Sequence, residues 1–160
     1  LYGGPDPDIL NGHGGGDRLW GNGGDDALNG GDGFDILRGW VGDDVLSGDA
    51  DNDWLYGGPD TDTLNGGDGH DRIVGSDEGG EDSDFTDPDY FGDLIDAGPG
   101  NDSIWGLGGS DYILAGSGDD LVDAGEGLDY VRGGEGNDEI YAGSGDGKAW
   151  GFRQARASQA

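Results

Sequence analysis

The sequence predicts an all-β protein, a parallel β-solenoid of about eight 18-residue coils with two short-stranded sheets. Three observations predict this fold: a nine-residue period, one aliphatic position in each period, and a glycine-rich stretch between successive aliphatic residues. Glycine accounts for 40 of the 160 residues, as expected where a backbone turns often or approaches another backbone closely. A chain of this length suffices for one repeat array.

The repeat has the form G-G-x-G-x-D-x-(aliphatic)-x, with positions numbered from the first glycine. It runs without slippage through residues 3–74, which is eight units, and resumes after a break to about residue 150. Regular examples are residues 30–38, 66–74 and 133–141. Because two residue classes stay in phase over this length, the array is a folded repeat rather than a linker rich in Gly and Asp.

The sixth position is the most regular and holds the candidate metal ligands. With one member in the irregular segment, these are Asp8, Asp17, Asp26, Asp35, Asp44, Asp53, Asp62, Asp71, Asp84, Asp93, Asp102, Asp111, Asp120, Asp129 and Asp138. The eighth position holds Leu, Ile or Val in almost every unit, from Leu10 to Ile140. The sequence therefore predicts carboxylates stacked along the two edges of the solenoid and aliphatic side chains that meet between its sheets.

Each unit divides into a turn and a strand. The Gly- and Asp-rich first part reads as a turn, and the last three or four residues read as a strand with the eighth side chain inside. All five prolines fall outside the strand positions, where proline would remove a hydrogen bond of the sheet.

Two units are expected to form one coil, because the ninth positions of alternate units form two series. One series is polar (Asn11, Asn29, Ser47, Asn65), and the other is mixed (Trp20, Arg38, Tyr56, Val74). Two different series of outward-facing ninth-position residues indicate that alternate units belong to two separate sheets.

The chain divides into regular repeats at 1–74, an acidic insertion with degenerate repeats at 75–96, regular repeats at 97–150 and a tail at 151–160. The break has two interpretations. In one, four extra residues (75–78) precede two weak units, 79–87 and 88–96. In the other, residues 75–87 form a 13-residue acidic loop. We favour the first.

The composition excludes several function classes. Asp and Glu number 36 against 7 Lys and Arg, so the formal charge is −29. That charge opposes binding to nucleic acids and to anionic membranes. No apolar run approaches the ~18 residues of a membrane span. With no cysteine there is neither a disulfide framework nor a thiolate metal site.

The same charge opposes folding unless a cation neutralises it. Leu, Ile, Val and Phe make up 29 of 160 residues, below the ~20 % at which a highly charged chain is expected to be disordered. Sixth-position aspartates of successive coils would also be stacked as like charges. A divalent cation between coils removes both obstacles.

The donor set favours calcium. The available ligands are carboxylate and carbonyl oxygens, and the two histidines, His13 and His70, are expected to be exposed turn residues. Oxygen donors in flexible turns suit a cation that takes ~6–8 ligands, whereas Mg²⁺ needs a tighter octahedron. About a dozen Ca²⁺ ions would bring roughly +24 against the chain's −29.

These residues resemble the RTX, or haemolysin-type calcium-binding, nonapeptide repeat, over about 90 % of the chain. The resemblance implies a right-handed parallel β-roll with Ca²⁺ between coils, bound by sixth-position Asp side chains and turn carbonyls. It also implies one-step (type I) secretion and folding in extracellular calcium. The fourth position departs from Gly at Asp6, Asp51, Asp60 and Asp82.

The ends of the array also depart from the pattern. Gly147 and Ala149 replace the sixth and eighth residues, so 142–150 is expected to be a terminal cap, and the tail either frays or completes that cap. Leu1 and Tyr2 match the eighth and ninth positions, so the array is expected to continue upstream.

We expect no catalysis by this chain. The predicted role is calcium-triggered rigidity outside the cell or at its surface, in an adhesin, surface-layer or filament protein. The alternative is a secretion and folding module of an exoenzyme such as a protease, lipase or alginate epimerase. Besides calcium, the expected partners are other copies or neighbouring domains. Outward aromatic residues either cover the sheets or form a contact face: Trp20, Trp54, Tyr56, Trp105, Tyr112, Tyr130 and Tyr141.

Overall fold

The computed structural model describes residues 1–75, 92–143 and 148–152. In these ranges the chain forms fifteen strands and no helix. The strands are β1 (Ile9–Gly14), β2 (Arg18–Gly23), β3 (Ala27–Asp32), β4 (Ile36–Val41), β5 (Val45–Ala50), β6 (Trp54–Tyr56), β7 (Thr63–Asp68), β8 (Arg72–Val74), β9 (Leu94–Asp96), β10 (Ser103–Trp105), β11 (Tyr112–Ser117), β12 (Leu121–Asp123), β13 (Tyr130–Glu135), β14 (Glu139–Tyr141) and β15 (Lys148–Phe152).

The strands build two parallel sheets. The odd-numbered strands form an eight-stranded sheet in the order β1-β3-β5-β7-β9-β11-β13-β15, and the even-numbered strands form a seven-stranded sheet. Successive strands therefore alternate between the sheets, which is the winding of a β-solenoid. The predicted all-β fold with two parallel sheets is confirmed.

Pairing in each sheet follows the 18-residue coil. Leu10 pairs with Leu28, and Leu19 pairs with Leu37. Several strands are longer than the three or four residues predicted, because the ladder continues into the glycine-rich positions; His13, for example, pairs with Gly31. Part of each expected turn is therefore regular strand.

The register across the break corrects one expectation. Leu64 pairs with Ile95 and Ile73 pairs with Ile104, offsets of 31 residues in place of 18. The difference of 13 agrees with the loop interpretation. In the described residues β7 pairs directly with β9, which favours the loop interpretation over the one with 79–87 as a stacked unit; residues 79–87 themselves lie outside the described residues. The coil count is therefore below the predicted eight.

Gly75 takes the first position of the unit that follows β8. Its carbonyl accepts the N–H of Gly58 at 3.1 Å, just as the carbonyl of Gly57 accepts the N–H of Trp40 at 2.9 Å one coil earlier. The 13 additional residues thus lie between this first position and Gly92. Pro88, the first residue of the weak unit 88–96, lies outside the described residues.

The core is a single file of aliphatic side chains between the sheets. The eighth-position residues from Leu19 to Ile140 are buried, and Leu10 packs against them. Ala97, Ala115 and Ala124 are also buried and hold the first position, where most units have Gly. The sequence analysis missed this second inward position, although it lies two residues beyond the eighth.

At both ends of the array, the chain pairs with a strand of one of the sheets. At one end, β15 pairs with β13, so this part of the expected cap extends the eight-stranded sheet; residues 153–160 lie outside the described residues. At the other end, Tyr2 forms a parallel bridge with Trp20, and their rings stack at 4.9 Å. No helix able to cross a membrane occurs in the part of the chain that the structure describes.

Candidate metal sites

The sixth-position aspartates point into the solenoid. They lie two residues before the inward eighth position, and side chains of a strand alternate, so both face the same side. Asp35 and Asp53 are fully buried at 0 % exposure, and Asp138 retains only 6 %. Asp8 and Asp17, in the first coil, are half-buried. Aspartate is almost never buried without a specific partner, so this series needs an explanation.

One oxygen of each buried carboxylate has a partner in the backbone. Oδ1 of Asp35 accepts the N–H of Asp17 at 2.7 Å, and Oδ1 of Asp53 accepts the N–H of Asp35 at 2.8 Å. Each carboxylate thus binds the coil before it. The acceptors are Asp26, Asp35, Asp44, Asp53, Asp62, Asp71, Asp93, Asp102, Asp111, Asp120, Asp129 and Asp138.

The other oxygen, Oδ2, has no hydrogen-bond partner in eleven of these residues. They are Asp26, Asp35, Asp44, Asp53, Asp62, Asp71, Asp102, Asp111, Asp120, Asp129 and Asp138. A buried polar atom without a partner costs about 1–3 kcal/mol, and more for a charged group. Folded proteins leave few such atoms, so a regular series of them indicates a ligand.

Backbone carbonyls approach the same place as the unpartnered oxygens. A Cβ added to Gly66 would lie 2.5 Å from both the Ala97 carbonyl oxygen and Oδ2 of Asp71. The two oxygens, from successive coils, therefore converge where the first-position glycine has no side chain. Carboxylate and carbonyl oxygens held in this way are the donors that Ca²⁺ takes.

Burial raises the pKa of the ladder carboxyls. Desolvation is the largest cause, repulsion from neighbouring aspartates adds to it, and the backbone hydrogen bond opposes it. The pKa rises to about 7 for Asp53, about 9 for Asp62 and about 8 for Asp111. Without a cation these groups favour the protonated form at neutral pH, and a bound cation would reverse that preference.

The carboxylates form two ladders, one from each set of alternate units, because each contacts the aspartate one coil earlier. Among the described residues, no three Asp, Glu, His or Cys side chains converge as a metal cluster. An ion held here would use one or two aspartates and take its other ligands from the backbone. Oxygen-only donation fits Ca²⁺ and does not fit Zn²⁺ or Cu²⁺.

The structure places Asp93 in the ladder, where its Oδ1 accepts the N–H of Asp62 at 3.0 Å. Asp93 thus follows Asp62 in the stack, as Asp102 follows Asp71. Asp84 lies outside the described residues. At the fourth position, Asp51 and Asp60 adopt positive φ angles of 75° and 84°, so they keep the turn conformation that glycine has elsewhere.

A further ladder, at the fifth position, was missed by the sequence analysis. The N–H of His70 donates to Oδ1 of Asn52 at 2.8 Å, and the N–H of Asn101 donates to Nδ1 of His70 at 2.6 Å. Asn101 and Asp119 continue it with the same contact. The signal was the recurrence of Asn, His or Asp at this position in alternate units. His70 is therefore an exposed turn residue, as expected, that also joins two coils.

The fold and the aspartate ladder together define the class: a parallel β-roll of nonapeptide repeats whose stacked carboxylates suit a hard divalent cation. The family model of the RTX calcium-binding nonapeptide repeat matches residues 2–37, 39–73, 89–122 and 114–148. The chain therefore belongs to the family of RTX calcium-binding repeats. A comparison with curated protein sequences found no match.

Proposed function

We propose that the sixth-position aspartates bind Ca²⁺ between successive coils and that this binding drives folding. The observation that carries the proposal is the series of eleven buried Oδ2 atoms without a partner. A Ca²⁺ ion supplies the positive charge that these atoms lack, and carbonyls from adjacent coils complete the ligand set. About a dozen ions would serve the whole ladder.

The ligands include the half-buried Asp8 and Asp17 at the first coil. Because a preformed site does not exist in an unfolded chain, the free energy of ion binding becomes free energy of folding. A net charge of −29 makes this coupling strong, since the metal-free roll concentrates like charges. Ion binding and folding of the roll thus occur together.

The biological role we propose is that of a rigid structural or assembly element outside the cell. Extracellular calcium modules bind their ions with Kd on the order of 0.1–1 mM, so a chain of this kind would remain unfolded at low cytosolic calcium. Continuous pairing along two sheets supports a stiff rod, since each coil contacts only its neighbours. An adhesin, surface-layer or filament protein would use such a rod.

Circular dichroism tests the proposal. In EGTA at neutral pH the chain should be coil-like, and millimolar Ca²⁺ should produce a β-spectrum. Mg²⁺ at the same concentration should fail, because its octahedral preference does not suit these turns. Sodium chloride of equal ionic strength is the control for simple screening. A β-spectrum that persists in EGTA would contradict the proposal.

A further inference from the structure

A groove of about 440 Å³ crosses the outer face of the seven-stranded sheet. Its floor is the ninth-position ladder of four successive strands, β4, β6, β8 and β10, and its ends come from turn residues. The lining side chains are Arg38, Trp40, Tyr56, Arg72, Val74, Trp105 and Leu107. At ~4.8 Å between strands, the floor is about 14 Å long. None of these residues belongs to the aspartate ladder, and we call them the arginine–aromatic groove.

Both arginines of the groove are positioned by aromatic rings. The guanidinium of Arg38 lies 4.8 Å from the centre of the Tyr56 ring, and that of Arg72 lies 4.8 Å from the centre of the Trp105 ring. Arg72 also lies 5.9 Å from the Trp54 ring. Stacking occupies the flat face of a guanidinium and leaves its N–H edge available for two oxygens of an oxyanion.

Neither guanidinium forms an ion pair with a carboxylate of the described residues. The chain has 36 acidic residues, so an exposed arginine would be expected to find one of them. Instead, Arg38 and Arg72 lie against aromatic rings. Two preoriented cations without an internal partner indicate an anionic ligand.

Two groove residues carry backbone strain. Trp40 and Leu107 have φ angles of 80° and 75°, at the second position of their units, where glycine is usual. A bulky side chain is unfavourable in this left-handed region. Second-position residues outside the groove, such as His13 and Asn22, have the same conformation, so it belongs to the repeat as a whole. Both side chains line the groove, Trp40 from the end of β4 and Leu107 from the turn after β10, and they supply apolar surface at its two ends.

We propose that the arginine–aromatic groove binds an acidic oligosaccharide, with sugar rings against Trp105, Tyr56 and Trp40 and a carboxylate or sulfate on Arg38 and Arg72. A sugar ring has an apolar face that suits a flat aromatic side chain, and polar edges that remain in water. The guanidinium edges take the charged group in a bidentate contact.

Other ligand classes fit the groove less well. A peptide that adds a strand needs a free sheet edge, whereas this groove lies on a sheet face. A long nucleic acid would meet a chain of charge −29, with only two cations at the groove. A short sugar with isolated charges avoids that repulsion.

The test is isothermal titration calorimetry of the full chain in millimolar Ca²⁺, after circular dichroism has shown that each variant is folded. The probes are a hyaluronan hexasaccharide with carboxylates, a chondroitin sulfate hexasaccharide and neutral cellohexaose. At least one charged probe should bind, and cellohexaose should bind at least about tenfold more weakly, because it lacks the charge-assisted contacts. The stronger charged probe identifies the preferred oxyanion.

The matched variants are Arg72→Gln in the groove and Arg18→Gln on the same sheet outside it. Arg72→Gln should weaken charged-sugar binding at least about tenfold, whereas Arg18→Gln should leave it unchanged. Equal losses would mean general charge attraction and would overturn the proposal. Absence of binding by folded wild-type chain, equal binding of cellohexaose, or preference for an acidic peptide such as hexaglutamate would also overturn it. Because folding is measured first, these failures are distinct from a failure of calcium binding.

Discussion

At the scale of the residue, the two oxygens of each buried aspartate have different roles. Oδ1 of Asp35 holds the preceding coil through the N–H of Asp17, while Oδ2 has no protein partner. The first contact survives in a neutral side chain, but the second role needs an anionic oxygen. A substitution that keeps the Oδ1 hydrogen bond and removes the anionic Oδ2 therefore separates the structural role from metal binding.

Asp35→Asn makes this separation. The amide keeps an acceptor for Asp17 but places an NH₂ group where the metal would bind. In Ca²⁺ the variant should be less stable than wild type by about 1–3 kcal/mol. In EGTA it should gain residual β-structure, because a buried charge is gone. Calcium titration followed by circular dichroism measures both effects.

The matched control is Asp32→Asn, which removes the same charge from an exposed third position three residues away. It should leave the calcium midpoint within a factor of two or so of wild type, since exposed charges contribute little. If both variants shifted the midpoint equally, the sixth position would have no special part in ligation.

At the scale of the element, the turns are packed backbone against backbone. Gly118 has a φ of 135°, and a Cβ placed there would overlap the carbonyl oxygen of Gly100 in the preceding coil. Gly14, in contrast, has no atom within 4 Å of an added Cβ. Glycine is thus required at some repeat positions and replaceable at others.

Gly118→Ala should therefore destabilise the calcium-loaded roll by more than about 2 kcal/mol, from backbone strain and overlap together. Gly14→Ala should change stability by less than about 1 kcal/mol, because it adds a methyl group in open space. Thermal denaturation in Ca²⁺ compares the two. Equal melting temperatures would refute this description of the turns.

The break offers a second test at this scale. Residues 76–91 can be replaced by Gly-Asp-Gly, the tripeptide at 67–69, which restores the nine-residue spacing between the sixth-position residues Asp71 and Asp93. Since β7 already pairs with β9 and β8 with β10, the shortened chain should keep its calcium response. Stability should change by no more than about 1 kcal/mol, because closing a longer loop adds little entropy. Loss of calcium-induced β-structure would show that the segment is part of the stack.

At the scale of the whole molecule, the buried carboxyls couple folding to pH. Their pKa values rise from the ordinary 3.8 to about 6 for Asp44, about 7 for Asp53 and about 9 for Asp62. A group with a raised pKa in the folded state contributes stability below its unfolded pKa and loses that contribution as pH rises through the folded value. The metal-free roll should therefore gain stability as pH falls from about 9 to about 4.

Circular dichroism of chain stripped of metal on a chelating resin should show β-structure increasing on acidification over this interval. Calcium affinity should change in the opposite direction, since protons compete for the same oxygens. Asp53→Asn should be more stable than wild type at pH 9 and equal to it near pH 4, while the exposed Asp68→Asn should differ little. A β-signal that declines on acidification would contradict the linkage.

Much of the fold was predictable because the repeat is local. The nine-residue period predicts the coil, the eighth position predicts the core from Leu19 to Ile140, and the two ninth-position series predict two sheets. The sixth position also predicted the carboxylate ladder, because one residue type in one phase occupies one place in every coil. A cation to neutralise −29 followed from composition.

The sequence alone thus determined the architecture and the kind of site, because strand periodicity and charge are properties of neighbouring residues. Tertiary structure decided what depends on contacts between coils: the direct pairing of Leu64 with Ile95, the division of work between the two aspartate oxygens, and the meeting of Arg38 and Arg72 with Tyr56 and Trp105. These partners lie 18 or more residues apart, and only the winding of the chain brings them together.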